Sequence, residues 1–254
     1  MRRLIAGEFR KLFATRLWLW LLLAAMAIAG LYASLQIAFS DDPDTWTMPL
    51  STSDGQQTLF AAAPSAANPL IAVLAAIGIT GEYRHRTATT TFLATPHRAR
   101  VIGAKLLAYA AVGVGYALVC TAVVTAIAVP WLSAKGIEVS LTGNGLPGTI
   151  AGGIAAAAVY ALIGVGLGAL LREQVATVVG LLIYLFVLEP ILTSLPALDS
   201  WTRYLPGPAD NALTGISLTN QQYLQPWQGG LALASYCLVI AVTGTYLATR
   251  KDVT

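Results

Sequence analysis

Long apolar runs alternate with short polar segments along the whole chain. Six runs stand out: Leu17–Ile37, Leu59–Thr80, Leu106–Trp131, Thr149–Leu171, Val175–Leu188 and Gln228–Ala248. Apolar residues are continuous within each run rather than alternating, which predicts helices and excludes the strands of a barrel. All but the fifth reach the ~20 residues that a helix needs to cross the hydrocarbon of a bilayer. The fifth, Val175–Leu188, must begin near Arg172 or continue past Pro190. Ahead of the first run, residues 1–16 place Ile5, Phe9, Leu12 and Phe13 on one helical face and Arg3, Arg10 and Lys11 on the opposite one. That pattern predicts an amphipathic helix lying in the membrane interface, and it equally suits a basic anchor that sets orientation.

Prolines refine the boundaries. Pro64 and Pro69, with Asn68 beside them, predict a break or kink in the second run, with regular helix from about Pro69. The segment 189–227 carries Pro190, Pro196, Pro206, Pro208 and Pro226 between apolar patches, which predicts two short helical pieces in an outer loop. Gly148/Gly152 and Gly164/Gly168 in the fourth run have the four-residue spacing that permits close helix contact, within one chain or between two.

Composition moves the solvent from water to lipid. The chain is 56% hydrophobic and 11% charged, against roughly 25% charged in an average soluble domain, and its mean hydropathy is +0.68. Too little polar surface exists to cover a soluble core. The first run exceeds the 7–15 apolar residues typical of a signal peptide, so a retained helix is expected. Cys120 and Cys237 fall mid-run, where a thiol acts as a small apolar group, and nothing beside them suggests a metal site.

Charge gives the orientation. Thirteen of the fifteen Lys and Arg residues fall in the amino-terminal segment, the second and fourth connections and the tail. Only Lys135 and Arg203 lie on the other side, with Asp41, Asp42, Asp44, Asp54, Glu138, Glu189, Asp199 and Asp210. By the positive-inside rule both termini and the Gly81–Lys105 connection are expected in the cytoplasm. The net charge of +3 then reflects topology and gives no nucleic-acid signal.

Three missing chemistries narrow function. No ionisable group lies well inside any of the six runs, whereas ion-coupled transporters need one near the midplane. No Lys is followed by Ser or Thr, so the chain lacks a P-loop and hydrolyses no ATP by that route. The histidines, His85 and His97, sit in a connection, which excludes a nucleophile–base pair at membrane depth. A pump of this composition must take its energy from a partner.

The partner's place is suggested by "TGEYRHRTATTTFLATPHRARVIGAKLL", Thr80–Leu107. Gly81 and Glu82 end the second run, Arg84, Arg86 and Thr87 follow, and Pro96, Arg98 and Lys105 lead into the third. With the lead element "GEFRKLFATR" (Gly7–Arg16), this arrangement resembles the permease subunits of type-2 ABC exporters. The resemblance implies a single permease domain over 1–254. It implies six transmembrane helices, an amino-terminal interfacial helix, short outer helices between spans five and six, and both termini cytoplasmic. It also implies that Glu82–Thr95 docks into a separate nucleotide-binding ATPase subunit, present in two copies and carrying ATP and magnesium, beside a second permease subunit, identical or homologous. No cofactor is expected on this chain.

The expected docking residues are Glu82, Tyr83, Arg84, His85, Arg86, Thr87, Phe92 and Leu93. Arg84 and Arg86 can make charge-assisted contacts, and Phe92 or Leu93 can anchor an interface. Basic residues alone would also meet anionic lipid, but that role does not require Glu82, the threonine run or Pro96. Tyr32, Ser34, Gln36, Thr177 and Tyr184 are the polar or aromatic residues expected to line a pathway. Glu189 is either an outer gating residue or an ordinary outer-face acid. Runs without charge suit a lipophilic or amphiphilic cargo such as a drug, a peptide antibiotic or a lipid, exported across a bacterial plasma membrane. A membrane scaffold without transport accounts equally for the spans and the charge bias, but not for the Gly81–Lys105 pattern.

Overall fold

The computed structural model describes residues 1–40, 48–84, 98–216 and 224–250, and every regular element among them is helical. A lead helix, α1 (Arg2–Ala14), turns at Thr15 and Arg16 into α2 (Leu17–Ala38). Then come α3 (Ser53–Arg84), α4 (Arg98–Ala134), α5 (Leu146–Leu171) and α6 (Gln174–Ile183). α6 continues through a π-helical turn, Tyr184–Leu188, into α7 (Glu189–Thr193). Two short helices, α8 (Asp199–Thr202) and α9 (Pro206–Thr214), precede α10 (Pro226–Arg250).

Among the described residues, five helical stretches are long and apolar enough to cross a membrane: Leu17–Ala38, Ser53–Arg84, Arg100–Ala134, Leu146–Leu171 and Gln174–Thr193. This is the make-up of an all-α, multi-pass membrane protein, in which each helix satisfies its own backbone where water is absent. The sixth apolar run, Gln228–Ala248, lies within α10. The fifth does continue past Pro190. The π turn makes this possible: Glu189 N–H donates to Tyr184 O, five residues back, so the helix has already widened where the proline would otherwise crowd it.

α3 is the central helix. It packs on α2, α4, α5 and α6, and 67% of its most apolar window is buried, against 17% for Gln174–Thr193. It runs unbroken through Pro64 and Pro69, which corrects the expected start near Pro69. At Pro64 a long-range fit accommodates the ring, which sits against Gly153 of α5, where a Cβ would overlap it. Gly164 meets the Ala72 carbonyl in the same way, and Gly168 meets Ile79. Residue numbers rise together along both helices, so α3 and α5 run parallel. Of the four spaced glycines, Gly152, Gly164 and Gly168 are therefore used inside the chain, while Gly148 faces open space. In lipid such close van der Waals packing, rather than a hydrophobic drive, holds helices together.

The outward faces are apolar. Trp20 and Leu31 on α2, and Val175, Phe186 and Ile191 along α6–α7, are all more than half exposed, which in a membrane sets them against acyl chains.

Candidate functional site

Four charges converge where α1 meets the last turn of α3 and the first turns of α4. Lys105 Nζ donates to Glu8 Oε2, and to Glu82 Oε1 at 3.0 Å. Lys11 Nζ donates to Glu8 Oε1 at 3.0 Å and to Glu82 Oε1 at 2.8 Å. Acid and base alternate around the cluster. The side chains of Lys105 and Glu8 are 4% and 7% exposed, so their charges are held out of water and depend on one another. Burial opposes the charge on half-exposed Lys11, yet hydrogen bonds and the negative charges of Glu82 and Glu8 outweigh it and raise its pKa.

The lead helix is amphipathic as its sequence predicts, with Arg3, Arg10 and Lys11 exposed and Leu12 buried, but it also buries an acid. Glu8 and Leu12 are its buried residues, while Phe13 is 51% exposed and sets its ring edge-on to Trp18, 4.9 Å away. Glu8 and Lys11, three residues apart, share one face, and that face turns to α3 and α4. Tyr116 of α4 fixes the bend by donating its hydroxyl to Trp18 O. A cleft of about 500 Å³ opens beside the cluster, with Leu12, Leu17, Leu74 and Ile77 among its walls.

Three of the expected docking residues close α3, and all make contacts within the chain. Glu82 belongs to the cluster. Tyr83 lies under the Arg172 guanidinium, 5.5 Å from its ring centre. Arg84 is exposed and donates to Gln174 Oε1 at 3.3 Å. The end of α3 is therefore tied both to α1 and α4 and to the tight α5–α6 turn. In that turn Arg172 takes the left-handed conformation, φ 56°. Glu173 then caps α6 by accepting from Val175 N at 3.1 Å and from Ala176 N, bonds that hold its carboxyl below the usual range. His85, Arg86, Thr87, Phe92 and Leu93 lie outside the described residues.

The expected pathway residues separate into two groups. On α2, Tyr32 is exposed, Ser34 half-buried and Gln36 buried with Oε1 unpartnered. On the fifth span, Thr177 is buried and donates to Glu173 O at 2.5 Å, and Tyr184 is half-buried in the π turn. The two helices share α3 as a neighbour, α2 adding α4 and α6 adding α5.

A second polar cluster exists only once the chain is folded. Glu189 is 6% exposed and accepts from Gly207 N at 2.6 Å, so it caps α9. α9 in turn carries Asp210, 6% exposed, against Asn68 near the middle of α3. The six apolar runs hold no acid well inside them, but the fold delivers one from the loop. The one local signal was an Asn set beside proline in an apolar run. No family model matches the chain when it is compared with known protein families, and no curated protein matches it either.

Proposed function

We propose that the chain is the membrane-spanning permease subunit of an ATP-driven exporter in a bacterial plasma membrane. Separate nucleotide-binding subunits, two per transporter, bind ATP and magnesium and press on residues 82–95. A second permease subunit, identical or homologous, completes the pathway, and α10 is the sixth span, which returns the carboxyl terminus to the side of α1. Cargo moves by alternating access, and its class is lipophilic or amphiphilic.

The observation that carries this reading is the Glu8–Lys11–Glu82–Lys105 cluster. It joins the lead helix to both helices that flank the 85–97 segment, so displacement of that segment would be shared by α1, α3 and α4. A partner that changes shape on binding ATP needs such a receiver. A scaffold needs none.

The test is retention of the ATPase subunit on the purified permease. Phe92→Ala and Arg86→Ala are each expected to weaken it by about 2 kcal/mol, roughly 30-fold, as for central interface residues, while membrane insertion stays normal. Unchanged retention in both variants would overturn the coupling role. Glu82→Ala is a poorer probe, because Glu82 also holds Lys11 and Lys105.

A further inference from the structure

Asn68 lies 14 residues before Glu82, about 21 Å along α3 at the helical rise. Its Nδ2 donates to Asp210 Oδ2 at 2.8 Å. Both side chains are buried, at 3% and 6% exposure. The two remaining oxygens, Asn68 Oδ1 and Asp210 Oδ1, have no hydrogen-bond partner. Buried acceptors in that condition are costly and call for a reason.

Among the described residues, no salt bridge reaches Asp210 or Glu189. Glu189 from α7 faces Asp210 as a second negative group. Tyr160 of α5 is within electrostatic reach of both acids, and Tyr184 of the π turn and Tyr236 of α10 are within reach of Glu189. The cluster is two carboxyls, three phenols and an amide.

An amide and an ionised carboxylate match at one point only: the N–H meets an oxygen, and the other two oxygens are acceptors without a donor. An amide and a neutral carboxylic acid match at two, because the acid O–H can donate to the amide oxygen. The atoms that lack partners here are the acid oxygen and the amide oxygen that such a second bond uses. One proton gives both of them a role.

We propose that Asp210 is a proton-binding site, neutral in the seated form in which it meets Asn68 of α3, and that its ionisation loosens that contact while α9 keeps its packing on α5 and α10. The proposal rests on no reading of what the chain carries. Burial raises the Asp210 pKa, the Asn68 hydrogen bond lowers it and the charge of Glu189 raises it again, for a net move from 3.8 to about 7. The seated form thus holds its proton more tightly than a solvated one. Seating is strongest below the solvated pKa and weakens as pH rises through about 7.

Infrared difference spectra of the full chain in lipid nanodiscs, taken between roughly pH 5 and 9, test this directly. A carboxylic-acid carbonyl band should titrate with a midpoint near 7. It should vanish in Asp210→Asn. In Glu189→Gln it should persist with a lower midpoint, since a neighbouring negative charge has gone. A spectrum without a band titrating in this range would overturn the proposal. So would a band that survives Asp210→Asn and disappears in Glu189→Gln, which would give the proton to Glu189. Loss of the band on adding sodium at fixed pH would also overturn it, in favour of a metal-cation site. Should Asp210→Asn fail to fold, Glu189→Gln alone decides, by keeping or losing the band.

Discussion

Lys105→Met is expected to destabilise the folded chain by about 3–5 kcal/mol, the usual cost of removing one partner from a buried ion pair. The side chain is 4% exposed and its ammonium is shared between Glu8 and Glu82. Methionine fills similar volume but leaves the Glu8 carboxylate, itself 7% exposed, with Lys11 as its one remaining ion-pair partner among the described residues. Lys11→Met provides the contrast. It removes contacts of similar length from the same two acids, but the Lys11 side chain is 50% exposed, where water screens the pair and the expected loss is at most about 1 kcal/mol. Adding Glu8→Gln to Lys105→Met should recover part of the loss, because the stranded charge is then gone. Denaturant unfolding of the detergent-solubilised chain, followed by tryptophan fluorescence, measures all three. Equal losses from Lys11→Met and Lys105→Met would mean that burial does not set the strength of this cluster. If the proposed coupling holds, Lys105→Met should also cut cargo-stimulated ATPase activity of the assembled transporter while leaving the ATPase subunit bound.

The membrane helices were legible in the sequence because lipid imposes a simple rule: long, uncharged and continuous. That rule located the runs that became α2, α4 and α5 and fixed the all-α class. It failed wherever a residue's meaning depended on a distant neighbour. Pro64 reads as a helix breaker until Gly153, on another helix, gives its ring a hollow. Lys105 reads as a charge at the mouth of a span until Glu8, 97 residues earlier, buries beside it. Asp210 reads as an outer-loop acid until Asn68, 142 residues away, meets it on α3. Periodicity itself hides Glu8, which lies one helical turn before Leu12 and is buried along with it. The cluster it joins needs three helices to be assembled before it exists. Of the stretch expected to dock, Glu82, Tyr83 and Arg84 are described, and their contacts tie the end of α3 to α1, α4 and the α5–α6 turn.

Gly164→Ala is expected to damage the fold far beyond the size of one methyl group. A Cβ at this position would overlap the Ala72 carbonyl and stand 2.9 Å from Ala72 Cα. Both are backbone atoms in the interior of the central helix, so no rotamer change can clear them. The parallel seam between α3 and α5 has to open instead. Inserted methyls in packed cores cost about 1–3 kcal/mol where side chains can adjust, and the backbone clash sets the expectation at or above the top of that range. Opening the seam also withdraws the hollow at Gly153 that seats Pro64, so the loss should spread along α3. Gly148→Ala is the matched control. It carries the same change on the same helix, but a Cβ there meets nothing within 4 Å. Removing a glycine's backbone freedom should leave that variant neutral or up to about 1 kcal/mol more stable. Thermal unfolding of both variants in the same lipid, with the oligomeric state read in parallel, distinguishes the two uses of spaced glycines. If Gly164→Ala is as stable as the parent chain but falls apart into monomers, the glycine serves contact between chains and the α3–α5 seam is not where it acts. If it unfolds easily at any oligomeric state while Gly148→Ala does not, the spacing serves packing within the chain, as the overlap with Ala72 requires.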